Sequence, residues 1–172
     1  MTVIISDASM LILVSKLDIL DTILETFGSI IIPEGVRVEV VDRGKEGKKM
    51  DALLVEKRIG DGKIIVKKIT KDDEKNKLMN DFNIHSGEAE AILLYLEENA
   101  DVLGTDDYQT LKTCKILNIR YFTTPIFLLQ SHTNRKIDKA FALRKMDRLA
   151  KIGWYKDEII DYFTNAIKNV KW

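Results

Sequence analysis

The chain opens with Val3-Ile4-Ile5, a short apolar run of β-branched residues that stops at Ser6-Asp7. Such a run predicts a buried strand ending at a carboxylate. Residues 10–16 are apolar and predict a helix. Asp18 is placed to cap a second helix whose inner face carries Ile19, Leu20, Ile23, Leu24 and Phe27, with Gly28 ending it. Ser29-Ile30-Ile31-Ile32 predicts a second strand. Pro33 then opens a helix to residue 42, with Val36 and Val40 on one face and Glu39 beside them, aimed partly inward. Residues 44–49 (Gly-Lys-Glu-Gly-Lys-Lys) read as the clearest loop.

Residues 50–59 show helical periodicity, Asp61-Gly62 turns the chain, and residues 63–69 alternate as a strand with a polar side. Residues 70–80 are charged and predict a solvated helix. Ser86 is placed to cap a strong helix over residues 87–99, with Ala89, Ile92, Leu93 and Leu96 facing inward. Residues 101–103 predict a short strand broken by Gly104-Thr105-Asp106-Asp107. A helix over residues 108–117 leads to a strand at residues 119–122. From Pro125 the pattern is helical to the end, with a break at Gly153.

Strands alternating with helices in this rhythm predict an α/β domain with a mostly parallel sheet. In such folds sites form beyond the carboxyl ends of the strands. Asp7 directly follows the first strand, and Asp106 and Asp107 directly follow the strand at residues 102–103.

Four places therefore put acids where chemistry can occur: Asp7, Glu39, Glu88 and the pair Asp106/Asp107. Each also has a structural reading. Asp7 can cap the following helix, Asp106 can cap the helix from Tyr108, Glu88 can answer a helix dipole, and Glu39 can be a solvated helix residue. Brought together, the four would repel one another unless a cation neutralised them. Hard oxygen ligands of this kind suit Mg²⁺ or Mn²⁺, and an acidic site of that type suits phosphodiester hydrolysis.

The order of Ile4-Ile5-Ser6-Asp7-Ala8-Ser9, Ile32-Pro33-Glu34-x-Val36-x-x-Glu39, Gly87-Glu88-Ala89-Glu90-Ala91-Ile92 and Val102-Leu103-Gly104-Thr105-Asp106-Asp107 resembles the PIN domain. More narrowly it resembles the compact prokaryotic members, including VapC-type toxin ribonucleases. The resemblance covers residues 2–130. It implies a three-layer α/β/α domain with a parallel sheet and a metal-dependent endoribonuclease site. Matched residue by residue, it gives the acids as Asp7, Glu39, Glu88 and Asp107, the last in a Thr-x-Asp pattern formed by Thr105 and Asp107. Asp106 takes the variable position, as a ligand or a residue that positions water. Ser9 matches a small hydroxyl residue supporting the first acid. Glu88 stands where many toxin members carry Asp. The domain expected is residues 1–130, with residues 131–172 as a helical C-terminal extension packing on it.

The other constellations carry less. His85 and His132 lie far apart with no Cys at ligand spacing, so they do not outline a zinc site. His85 reads as a loop residue before the Ser86 cap. Cys114 is the sole cysteine; it rules out an internal disulfide and reads as a buried, inert thiol in a reducing setting. No glycine-rich phosphate loop is present. The apolar stretch at residues 10–14 is too short to span a bilayer, and no basic leader precedes it, so a cytoplasmic location is expected.

Lys plus Arg number 27 and Asp plus Glu number 27, which excludes a polycation. The balance is a cancellation, however. Residues 1–42 carry a net −5, residues 43–107 a net −3 and residues 108–172 a net +8. In the last segment, a helix from Asp138 with Phe141, Leu143, Met146 and Leu149 inward leaves Arg144, Lys145 and Arg148 outward. These form either a phosphate-binding face or an ordinary solvated one. Trp154, Tyr155, Tyr162, Phe163 and Trp172 read most simply as packing residues.

The expectation is thus a Mg²⁺- or Mn²⁺-dependent endoribonuclease acting on RNA. It could serve as the toxin of a toxin–antitoxin pair, partnered by an antitoxin protein, or as a processing nuclease. A homodimer is common in the family and expected here. The reading from a different class is a non-catalytic nucleic-acid or protein-binding module on the same fold.

Overall fold

Five short strands line up in parallel in the order β3-β2-β1-β4-β5 in a computed structural model that describes residues 2–171. They are β1 (Ile4–Ser6), β2 (Ile30–Pro33), β3 (Ile64–Lys67), β4 (Val102–Gly104) and β5 (Tyr121–Phe122). The registers Ile5↔Ile31 and Ile5↔Leu103 put three apolar side chains in one row across the sheet. These β-branched and apolar runs are buried on both faces, as a central parallel sheet requires. The order of strands reverses between β1 and β4, since β2 and β3 lie to one side and β4 and β5 to the other.

Helices cover the two faces. On one lie α6 (Asp72–Phe82), α7 (Ser86–Glu97) and α8 (Tyr108–Ile116). Here Ala89, Ile92, Cys114 and Ile119 close a core over Ile5, Ile31 and Leu103. The other helices of this unit are α1 (Ala8–Lys16), α2 (Leu20–Phe27), α3 (Glu34–Arg37), α4 (Arg43–Glu46) and α5 (Met50–Gly60). Their buried Leu11, Leu13, Leu20, Ile23 and Val55 supply a second apolar layer, and α1 packs against α5. The result is the expected three-layer α/β/α arrangement.

Close approach of β4 to α1 depends on Gly104. A Cβ there would overlap Met10 Sδ and stand 3.2 Å from two ring carbons of Phe122.

Several local expectations change. Asp18 does not cap α2; it adopts a left-handed conformation (φ 53°), and Ile19 takes the N-cap position. The stretch at residues 44–49 is loop only in part, because α4 occupies its first half. Gly44 permits this, since its bare Cα face packs on Ala52. Between α3 and α4, residues Val38–Asp42 form a π turn, with Arg43 N–H donating to Val38 O five residues back. Arg37 and Asp42, also five apart, pair at 3.0 Å across it. Leu96 is 53 % exposed rather than inward. The helix α6 buries no residue, as its charged sequence predicts.

The chain divides into two compact units, Met1–Phe122 and Thr123–Trp172. The second contains α9 (Thr124–Thr133), α10 (Lys139–Ile152) and α11 (Asp157–Asn169), which pack on one another. Asp138 caps α10 by accepting from Phe141 N–H at 2.6 Å. Met146, Leu149, Ile160 and Ile167 are buried. Tyr162 packs edge-on against Phe163 with ring centres 5.2 Å apart, yet Trp154 and Tyr162 remain 54 % and 67 % exposed; Trp172 lies outside the described residues. Among the described residues no helix is long and apolar enough to cross a membrane.

Candidate active site

Asp7 leaves β1 and becomes the N-cap of α1, so the expected structural role is real. Its Oδ1 accepts from Met10 N–H at 3.0 Å and from Ser9 Oγ at 2.7 Å. Its Oδ2 accepts a short hydrogen bond from Thr105 Oγ1. The two hydroxyls also reach the other strand end. Ser9 Oγ accepts from Asp106 N–H at 2.9 Å, and Thr105 Oγ1 accepts from Asp107 N–H at 3.2 Å. Each hydroxyl thus donates to one oxygen of Asp7 and accepts one amide of the loop after β4. The link falls between β1 and β4, where the strand order reverses and where crevices open in folds of this type.

Asp7 is fully buried, and burial pushes its carboxyl up to about 7 against the three hydrogen bonds that favour the ionised form. The neighbouring charge of Asp106, itself buried, adds to the rise. Asp107, not Asp106, is the N-cap of α8. Its Oδ1 accepts from Thr110 N–H at 2.7 Å and from Thr110 Oγ1 at 3.0 Å.

Glu39 sits in the π turn. A π turn carries an extra residue and so rotates the residues after it relative to an α-helix, a distortion often found at functional sites. Glu39 is exposed, where the sequence pattern aimed it partly inward. Its carboxylate still lies over the start of α7, because a Cβ on Gly87 would stand 3.4 Å from Glu39 Oε2. Glu88 occupies that first turn of α7. His85, rather than Ser86, is the N-cap, and its N–H donates to Glu88 Oε2 at 2.8 Å. Partial burial raises the Glu88 carboxyl above its ordinary range, with the charges of Asp107 and Glu39 adding to the effect.

Glu39, Glu88 and Asp107 are therefore electrostatic neighbours, while Asp7 joins Asp107 through Thr105. A set of hard oxygen donors whose like charges bear on the Glu88 carboxyl fits a divalent cation. Among the described residues, however, no three His, Cys, Asp or Glu side chains are gathered closely enough to hold a metal ion as they stand. Glu88 Oε2 is engaged in the cap, and Glu39 is exposed to solvent over the start of α7.

Glu90 has a role that the sequence pattern did not assign. It is 9 % exposed; its Oε2 accepts from Gly35 N–H at 2.9 Å and its Oε1 from Ser86 Oγ at 3.2 Å. Lys75 Nζ lies 3.7 Å from the same Oε1. Glu90 thereby fastens α3, which leads into the turn bearing Glu39, to α7, which bears Glu88. A Cβ on Gly35 would overlap the Glu90 carboxylate, so a larger residue there would have to displace it from this position. The alternation Glu88-Ala89-Glu90 was the available signal: two acids two positions apart on a helix cannot share one face.

Arg144, Lys145 and Arg148 lie on α10 in the second unit. Arg144 and Arg148 are exposed and Lys145 is half-buried. The guanidinium carbon of Arg144 and the Lys145 ammonium lie 6.0 and 5.1 Å from the Phe141 ring centre. Cys114 is buried in the core beneath the site, as expected, and burial pushes its thiol up to about 12, with the Asp7 charge contributing.

No curated protein and no solved structure matches the chain. A family model described as a PIN domain matches residues 3–169, running through both units and well past residue 130. With the parallel sheet, the acids at its strand ends and the Thr105-x-Asp107 pattern all inside that match, the chain belongs to the PIN-domain family.

Proposed function

We propose that the protein is a Mg²⁺- or Mn²⁺-dependent endoribonuclease. The observation that carries this reading is the doubly held Asp7. A buried carboxylate with a pKa near 7 is costly to maintain, and Ser9 and Thr105 orient it toward the loop bearing Asp106 and Asp107. The capping of α1 would be served as well by Asn or Ser, neither of which is ionisable.

Asp7, Glu39, Glu88 and Asp107 would hold the cation, directly or through water. When bound, it would supply a water of lowered pKa and a counter-charge to the phosphodiester. Ser9 and Thr105 fix the orientation of Asp7, and Asp106 positions water or completes the ligand set. The attacking water oxygen forms a bond to phosphorus, and the bond from phosphorus to O3′ breaks. The products are a 5′-phosphate and a 3′-hydroxyl, the latter taking up a proton. Arg144, Lys145 and Arg148 are candidates for phosphate contact elsewhere on the strand. Cleavage of single-stranded RNA with Mn²⁺ by the wild type, Asp7→Asn and Asp107→Asn tests the assignment. Full activity in both variants would sink it.

A second reading, a PIN-like binding module without catalysis, is favoured by the engaged Oε2 of Glu88 and by the lack of a gathered cation cage among the described residues. Thermal melting in a Mn²⁺ titration separates the two, since the nuclease gains stability with the cation and the module does not. In the nuclease reading the protein acts in the cytoplasm, as a homodimer, either as a toxin held by an antitoxin or as a processing enzyme. Growth arrest on expression, relieved by a small partner protein, identifies the toxin.

A further inference from the structure

Tyr108 follows Asp107 directly in the chain, as the first residue of α8, and is 68 % exposed. It is the one aromatic among the large exposed hydrophobic residues of the first unit's described residues. One turn along the helix, the exposed Lys112 holds its ammonium 4.7 Å from the Tyr108 ring centre. The backbone that carries the ring is held, because Asp107 caps the helix through Thr110 and Gln109 Nε2 donates to Phe82 O at 3.1 Å. The pair is thus an exposed aromatic ring on a held helix start with a cation over it, next to Asp107 and the carboxylates that neighbour it, which would otherwise repel a phosphate chain.

We propose that Tyr108 and Lys112 form a nucleotide subsite. The ring stacks on an unpaired base flanking the phosphate that is cleaved, and Lys112 contacts a phosphate of the same strand. This deepens the nuclease reading and rests on it for the position of the scissile bond. Stacking on an aromatic ring is available to every base, so the subsite selects single-stranded RNA over duplex with little sequence preference at that position. Charge complementarity favours this occupant over a protein face: α8 carries Lys112 and Lys115 and no acid.

The test measures binding of a fluorescein-labelled single-stranded RNA of about 12 nucleotides by anisotropy in the Asp7→Asn background, and cleavage in the native background. Tyr108→Ala is expected to weaken binding about tenfold, and Tyr108→Phe to retain it. An abasic nucleotide scanned along the RNA should weaken binding by the same factor at one position when Tyr108 is present. In the Tyr108→Ala variant the abasic nucleotide should have no further effect at that position. Lys112→Ala should lower the slope of log affinity against log salt by about one. In cleavage, Tyr108→Ala should raise KM about tenfold with kcat unchanged. If the native protein cleaves RNA and Tyr108→Ala leaves both KM and affinity unchanged, the subsite is overturned while the nuclease reading stands. If the native protein neither binds nor cleaves RNA, both fall. Position-specific stacking without cleavage keeps the subsite and overturns the nuclease. Unchanged RNA affinity with an altered oligomeric state assigns the face to a second copy of the chain and overturns the subsite.

Discussion

Thr105 donates its hydroxyl proton to Asp7 and accepts the amide of Asp107, so one oxygen atom joins the ends of two adjacent strands. Ser9 makes the corresponding link to Asp106, and the two hydroxyl oxygens are 3.4 Å apart. The first acid is therefore held by the same atoms that shape the loop carrying the last.

Thr105→Val keeps the shape and removes the bridge. A buried carboxylate oxygen and the Asp107 amide both lose a partner, which should destabilise the fold by about 1–3 kcal/mol. In the nuclease reading, with Asp7 as a metal ligand, cleavage should fall by about 10- to 100-fold, the usual loss when a residue orienting such a ligand is removed. Chemical denaturation and RNA cleavage measure the two effects; Ser9→Ala should act in the same direction.

Asp7 gives the fold a distinctive pH signature. Its folded pKa is raised above the unfolded value, so the native state binds the extra proton and stability falls as pH rises from about 4 through about 7. Asp7→Asn, which carries no charge, should be more stable than the wild type at pH 8 by up to about 4 kcal/mol. The difference should close near pH 4. Denaturant melts at the two pH values check this, and a variant less stable at pH 8 contradicts the buried-acid account. Cleavage should rise with pH, with a midpoint below 7 when excess Mn²⁺ competes with the proton.

Glu90→Ala should cost about 1–3 kcal/mol, because the Gly35 amide and the Ser86 hydroxyl lose their acceptor. Glu90→Gln retains an acceptor for Gly35 and should stay within about 1 kcal/mol of the wild type. Activity should follow stability in rank, since the bond holds the segment of Glu39 against that of Glu88. Equal cleavage by the Ala variant would show that Glu90 serves packing alone.

Cys114 should be silent toward a thiol reagent at pH 8 in the native protein and react fully after denaturation. A labelling time course with and without denaturant reads this directly.

Much of this arrangement was legible in the sequence, for local reasons. β-Branched runs ended at acids, Gly28 stopped α2 with φ 92°, and the spacing of acids matched strand ends. The features that were not legible depend on partners distant in the chain. The Gly-Lys-Glu-Gly stretch became partly helical because Gly44 meets Ala52, a contact no local rule contains. The π turn at Glu39 keeps Val36, Val40 and Val41 buried, so the apolar pattern resembles that of an α-helix. The choice of His85 over Ser86 as cap accompanies Ser86 turning its hydroxyl to Glu90. The acids and the support of the first by Ser9 were visible; the amides that Ser9 and Thr105 accept, and the place of Glu39 over Gly87, needed three dimensions.

Gly104 sets the tolerance of this site. Met10 both fills the space over Gly104 and offers its amide to Asp7 Oδ1. A side chain at position 104 would have to displace the Met10 thioether and crowd the Phe122 ring, directly beside the carbonyl that accepts the Asp7 amide at 3.1 Å. Residue 104 thus meets the first acid twice, through its carbonyl to the Asp7 amide and through its bare Cα, which leaves room for the side chain whose amide caps Asp7 Oδ1.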